Sequence, residues 1–192
     1  MCIFVVEGLP YSIIPLFREL EATAIQIHLP NMKISICSLY IPSDFPRKKF
    51  VERFDDLIAN IPCPFILTMD SNVHHSNWGS EFSVGRGRDI DLWMENNNLV
   101  LLNTGEPTYM HPNGSLTHIN LTVVSTELAL GLQWEPHTDN FCSDHFPMGI
   151  ISSFTSTSNI SKTLEIETAN WTEYHGAINL PDVESFVSPT QA

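Results

Sequence analysis

Positive charge is what this chain has least of: 9 Lys and Arg stand against 22 Asp and Glu, a formal net charge of −13. That balance excludes a surface that grips nucleic acid through rows of basic side chains. Any hold on phosphate must be built locally or through bound cations. Cysteine is sparse as well. Cys2, Cys37, Cys63 and Cys142 are scattered, with no CxxC pair. This argues against a disulfide framework or a zinc site and for reduced, mostly buried thiols in an intracellular protein. No apolar run is long enough to span a bilayer, so no membrane partner is expected. The N-terminal MCIFVVEGLPYSIIPLF lacks a basic lead and a small-residue cleavage pattern, and it reads as a strand and a loop rather than a signal peptide. P-loop, GxGxxG, HExxH and GxSxG motifs are all missing, which removes the motif-borne nucleotide, zinc-protease and serine-hydrolase chemistries.

What remains is ample material for a core, with 43% hydrophobic and 16% charged residues. Cys2 to Val6 is a short apolar run, read as a strand. Glu21 to Leu29 and Lys33 to Tyr40 alternate apolar and polar residues, and Pro30-Asn31-Met32 between them marks a turn, so the pair is expected as a hairpin. Phe50, Phe54, Leu57, Ile58 and Ile61 fall at helical spacing, with Ser43 or Asp44 as the cap and Pro46 in the first turn. Phe65 to Met69 is almost continuously apolar, as in a strand buried on both faces, and it delivers Asp70 at its end. The polar stretch from Ser71 to Gly87 reads as irregular. A helix over Arg88 to Asn98 follows, then strands at Leu99 to Leu102, Thr108 to Met110, Leu116 to Val124 and Met148 to Ser152, with a turn at His111-Pro112-Asn113-Gly114. From Ser153 the chain becomes rich in Ser and Thr, so residues 1–152 are read as one α/β domain and residues 153–192 as a linker and tail, with a short helix over Asn170 to Leu180.

Four polar clusters sit at strand ends. Asp70-Ser71-Asn72 places an acid beside an amide at a sheet edge: either a water-activating or metal-ligating Asp with a phosphoryl-contacting Asn, or an Asx turn. His74-His75 precede Trp78-Gly79. Neighbouring loop residues point apart, so a shared metal is not expected, and Trp78 reads as a core plug rather than a base platform. In Thr117-His118-Ile119-Asn120-Leu121, strand alternation puts Thr117, Ile119 and Leu121 on one face and His118 with Asn120 on the other. Ser143-Asp144-His145 is no hydrolase triad, because triad members lie far apart in sequence. It suits either a metal- or phosphate-contacting pair or a plain loop. Arg86 and Arg88, in Gly85-Arg86-Gly87-Arg88, are either phosphate contacts or solvated loop residues.

The order of these pieces resembles the endonuclease/exonuclease/phosphatase superfamily. CSLYIPSDFPRKKF, PFILTMDSNVHHSNWGS, RGRDIDLWMENNNLVLLNTGEPTY, HINLTVVSTEL and SDHFP are similar to the endonuclease domain of jockey-type non-LTR retrotransposons. ANWTEYHGAI resembles the start of the linker toward a reverse transcriptase in such elements. The resemblance implies a four-layer α/β sandwich of two packed mixed sheets with flanking helices. It also implies Mg²⁺- or Mn²⁺-dependent hydrolysis of DNA phosphodiesters, a nuclear site of action, and a reverse-transcriptase partner domain. In that pattern Asp70 orients and activates water, Asn72 stabilises the phosphorane, Asp144 holds metal together with Asp70, His145 contacts the scissile phosphate, and Tyr40 lies near it. The chain departs from the pattern in three ways. The family's first strand, with an Asn, and the Glu metal ligand after it are expected upstream of Met1, so the first strands are read as missing. Met69 and Ser71 replace a small and an aromatic neighbour. Asn120 stands where the family has the aspartate that pairs with the histidine, and Thr117 replaces a serine. An amide cannot balance an imidazolium, so weak or absent cleavage is expected, with a folded non-catalytic remnant or nucleic-acid-binding module as the alternative.

Overall fold

The computed structural model describes residues 1–16 and 20–153. Its frame is a six-stranded mixed sheet of β1 (Tyr11–Ile14), β2 (Glu21–His28), β3 (Lys33–Tyr40), β4 (Phe65–Asp70), β5 (Leu99–Leu101) and β8 (Asn120–Ser125). Its order is β1-β2-β3-β4-β8-β5. The hairpin read over Glu21 to Tyr40 is present, with Glu21 opposite Tyr40 and His28 opposite Lys33. β3 and β4 run parallel. A parallel pair needs a long crossover, and α1 (Phe50–Ala59) supplies it. A second helix, α2 (Gly85–Asn96), precedes β5. Two small ribbons complete the fold: β6 (Tyr109–Met110) with β7 (Leu116–Thr117), and β9 (Leu132–Pro136) with β10 (Met148–Ser152). A single turn, α3 (Thr126–Ala129), links β8 to β9.

Strand alternation separates two cores. One face of the sheet presents Cys37, Leu39, Leu67, Met69, Leu121 and Val123 to Phe50, Phe54 and Leu57 of α1 and to Ile90, Trp93 and Met94 of α2. Phe54 and Trp93 meet edge to face at 4.8 Å. The other face presents Ile34, Ile66 and Val124 to Leu128 of α3, Leu132 of β9 and Ile150 of β10. Trp134 of β9 donates its indole N–H to Thr122 Oγ1 across that interface, at 3.2 Å. The expected α/β sandwich with packed sheets and flanking helices is therefore in place, with the β9–β10 ribbon as the second sheet.

Several boundaries differ from the sequence reading. Cys2 to Val6 is not a strand, because a strand needs a ladder partner and the sheet edge belongs to β1, which the pattern did not reveal. β9 was also unforeseen. Neither Ser43 nor Asp44 caps α1: Pro46 opens a 3₁₀ turn over Arg47–Lys49, and α1 starts only after it, with no side-chain cap. Of the cysteines only Cys37 is buried, its thiol pushed up to about 12 by burial, while the other three are exposed. The run Leu116 to Val124 breaks into β7 and β8, because the chain leaves one sheet and joins another at His118-Ile119. The tail beyond Ser153, including Asn170 to Leu180, lies outside the described residues.

Leu67 is fully buried and Leu130 fully exposed. Leu67→Ala is expected to lower the unfolding free energy by ~2–5 kcal/mol, and Leu130→Ala by less than ~0.5 kcal/mol. Urea titration followed by tryptophan fluorescence measures both.

Candidate active site

Three adjacent strands put three polar residues in one row. Tyr40 is opposite Asp70 in the β3–β4 ladder, and Asp70 is opposite Asn120 in the β4–β8 ladder. The odd-numbered neighbours Leu39, Met69 and Leu121 point into the helix-side core, so the row faces the other way. Beyond the end of the sheet, the β6–β7 ribbon and the segment Asp144 to Phe146 close over it. Met110 N–H donates to the Asp144 carbonyl at 2.7 Å, Phe146 N–H to the Thr108 carbonyl at 3.0 Å, and Tyr109 bridges His145. The result is an open cleft of about 390 Å³, whose walls include Tyr40, Asp70, Asn72, Tyr109, Asp144 and His145.

Asp70 is the centre of this cleft. Burial raises its carboxyl above the usual carboxylate range. His145 and the backbone N–H of Asn72 pull it back, and Asp144 raises it further. One of its oxygens is buried without a hydrogen-bond partner. Asn72 sits in the left-handed region at φ 51°, which asparagine tolerates better than most residues. Its amide donates to the Ile41 carbonyl at 3.0 Å. Arg86 fastens the same loop, donating to the carbonyls of Pro42 at 3.0 Å and Asn72 at 3.3 Å. Ser71 is buried and donates its hydroxyl to the Ile119 carbonyl at 2.6 Å, so the small residue in place of an aromatic one ties the Asp70 loop to the entry of β8.

Asn120 is not in the cleft wall but behind it. Thr108 clamps it twice: Thr108 Oγ1 accepts from Asn120 N–H at 2.9 Å, and the Thr108 carbonyl accepts from Asn120 Nδ2 at 3.1 Å. The same Nδ2 lies 2.9 Å from His145 Nδ1. A nitrogen that already donates to a carbonyl faces Nδ1 with its second proton, so Nδ1 accepts and the imidazole proton sits on Nε2. His145 thus presents its Nε2–H to the cleft as a donor. Asn120 Oδ1 is left buried without a partner.

The split between β7 and β8 overturns the simple alternation expected over Thr117 to Leu121. Thr117 and Ile119 line the cleft, Asn120 backs His145, and Leu121 enters the opposite core. The adjacent histidines do point apart. His74 faces the cleft, while His75 packs on Trp78 with ring centres 5.0 Å apart and its Nδ1 accepts from Asn77 N–H at 3.3 Å. Trp78 is fully buried, a core plug as expected. Arg88 donates to the Ser83 carbonyl at 3.2 Å, away from the cleft. Gly87 packs on the His74 carbonyl so closely that a Cβ there would lie 2.2 Å from it. That approach explains the glycine and anchors His74.

Sequence reasoning missed Tyr109 and Thr108. The Tyr109 phenol is raised above its ordinary range by burial and by Asp144, to which it hydrogen-bonds, with a further contribution from Asp70. The Tyr109 and His145 rings meet edge to face at 4.9 Å. The pairing of Tyr109 with His145 across 36 residues leaves no mark in either local pattern.

Comparison with known proteins places this geometry. The Endonuclease-reverse transcriptase family model matches residues 34–149, more than half of the chain. Two curated relatives are RNA-directed DNA polymerases from mobile element jockey. The Drosophila funebris protein is 29% identical over 97 residues, 50% of this chain and 10% of its own length. The Drosophila melanogaster protein is 26% identical over 127 residues, 64% of this chain and 14% of its own length. The chain therefore spans only a small part of these relatives. Among solved structures, the endonuclease domain of TRAS1, a telomere-specific non-LTR retrotransposon, superposes with a TM-score of 0.71 at 21% identity, covering 79% of this chain and 72% of that one. At that identity the likeness is one of fold.

Burial first, and then the neighbouring His111 and His118, hold the His74 imidazole below its ordinary range. A histidine that binds its proton less tightly when folded leaves stability untouched above the unfolded value, about 6.5. It costs stability as pH falls from there toward the folded value. The urea midpoint is therefore expected to drop between about pH 7.5 and about pH 5.5, and to drop less in His74→Gln. Equal slopes for the two proteins would contradict the assignment.

Proposed function

The chain belongs to the Endonuclease-reverse transcriptase family, as a jockey-type endonuclease domain of the endonuclease/exonuclease/phosphatase superfamily, and we propose that it hydrolyses DNA phosphodiester bonds with a divalent cation, slowly. The observation that carries this reading is the gathering of Tyr40, Asp70, Asn72, Asp144 and His145 around one cleft from three separate segments. The substrate would be the target-site DNA of a mobile element, acted on in the nucleus, with a reverse-transcriptase domain as partner.

The donor set bears on the metal. Among the described residues no group of three or more His, Cys, Asp and Glu is arranged to hold an ion. Asp70 nevertheless offers a buried, orphaned carboxylate oxygen, and Asp144 lines the same cleft. Mg²⁺ is commonly held by one or two carboxylates, with water and substrate phosphate completing its shell. Asp70 and Asp144 fit such a loosely held cation. When bound, it would supply Lewis-acid stabilisation of charge on the phosphoryl oxygens.

The protein's own groups divide the remaining work. Asp70 is held in place by the Asn72 N–H and sits where it can accept the proton of an attacking water. His145 donates Nε2–H to a phosphoryl oxygen. Tyr40 and the second amide proton of Asn72 offer further donors. Arg86 positions Asn72 through two backbone carbonyls and does not reach the cleft wall. The weak step is at His145. Asn120 donates into Nδ1 and offers it no acceptor, so it does not orient the ring as a carboxylate in that place would.

Plasmid nicking with Mg²⁺ and with Mn²⁺ tests the reading. The chain is expected to nick slowly. Asn120→Asp is expected to raise the rate by about 10-fold or more by accepting from Nδ1–H, and Asp70→Ala with His145→Ala to abolish nicking. If the double variant nicks as fast as the parent, this cleft is not the active site. If neither the chain nor Asn120→Asp nicks, the non-catalytic reading replaces ours.

A further inference from the structure

A second cleft of about 400 Å³ adjoins the first and shares His74, His111 and Thr117 with it. Among the described residues, neither cleft has a Lys or Arg in its walls. The donors are instead three imidazoles: His74, His111 and His118. All three line this one cleft. His118 is seated against Gly79, which lies in the left-handed region at φ 98°. A Cβ there would be 2.8 Å from His118 Cδ2 and 2.6 Å from the Gly105 carbonyl oxygen. The shared wall carries a second signal, because Thr117 Oγ1 is buried and has no hydrogen-bond partner. At the outer side Phe82 is 57% exposed, and its ring lies 4.8 Å from that of His74 at an interplanar angle of 36°.

We propose that this cleft is a subsite for the nucleotide flanking the scissile phosphate, with its base on Phe82 and its phosphate on His111, His118 and Thr117. The inference rests on the nuclease reading and deepens it. A flat, solvated aromatic ring stacks any base. Imidazoles and a hydroxyl hold a phosphate with no permanent positive charge, which suits a chain of net charge −13. Glu81 lines the same cleft beside Phe82. It repels phosphate from that side and can accept from a base amino group, which fixes the polarity of the nucleotide. The charged neighbours of the imidazoles are Glu81 in this cleft and Asp70, Asp144 and His145 across the shared wall.

The test is fluorescence anisotropy with a labelled DNA strand in EDTA, where no cleavage occurs, alongside a fully abasic strand of the same length. Phe82→Ala should weaken binding of the normal strand at least about fivefold and leave the abasic strand unchanged. Phe82→Trp should restore it. His111→Gln with His118→Gln should weaken both strands, the normal and the abasic, by a similar factor. Thermal melts by circular dichroism check that each variant is folded. A chain that nicks plasmid but whose variants bind like the parent overturns the subsite and leaves the nuclease standing. A chain that neither binds these strands nor nicks plasmid overturns both.

Discussion

The pairing of β4 between β3 and β8 is the constraint on which everything else rests. β4 is nearly continuous apolar sequence because it is covered on both faces, by the helices on one side and by the β9–β10 ribbon on the other. Its parallel bond to β3 and antiparallel bond to β8 fix one register. In that register Tyr40, Asp70 and Asn120 become neighbours although 30 and 50 residues separate them. A slip of β4 by one residue would turn Asp70 into the helix-side core and bring Met69 out. The core therefore enforces the site: burying the odd-numbered residues is the same act as presenting the even-numbered ones.

The proposed nuclease reading asks an acidic chain to face a polyanion, and the placement of its charges bears on that. The described arginines are engaged away from the clefts. Arg47 makes a bidentate pair with Asp89 at 2.6 and 2.9 Å, Arg88 holds the Ser83 carbonyl, and Arg86 holds two carbonyls behind Asn72. They act as fasteners of loops, not as phosphate hooks. On the proposed reading, attraction at the clefts would come from carboxylates that recruit a cation and from imidazole and hydroxyl donors. Affinity built this way would depend on metal, where a row of Lys and Arg would depend chiefly on salt.

Much of this was legible in the sequence, and the illegible part has a common cause. β2, β3, β4, α1 and β10 could be read because their signals are local: alternation, helical spacing, a double-faced apolar run. The cluster Asp70, Asn72, Asp144 and His145 could be read as a set because strand-end polar residues stand out against apolar runs, and the resemblance gave them an order. The missed features are all relational. β1 and β9 are strands only by virtue of a partner. The break at His118-Ile119 is invisible to alternation, because the change there is of neighbour, not of side-chain period. Tyr109 joins the site through a bridge to His145, and Thr108 matters only because its carbonyl and hydroxyl both meet Asn120.

Asn120 shows how such a relation can favour the fold over the chemistry. Its Nδ2 meets two acceptors, the Thr108 carbonyl at 3.1 Å and His145 Nδ1 at 2.9 Å. A carboxylate oxygen in the same place would satisfy His145 Nδ1–H but would face the Thr108 carbonyl, an acceptor against an acceptor in a buried site. The amide removes that repulsion and adds a hydrogen bond, a gain of order 1 kcal/mol in stability. What it leaves unsatisfied is its own Oδ1. The same atom that locks the Asp144–His145 segment onto the sheet thus decides which imidazole nitrogen accepts, so the residue at this position exchanges the orienting pull of a carboxylate for a buried hydrogen bond to Thr108.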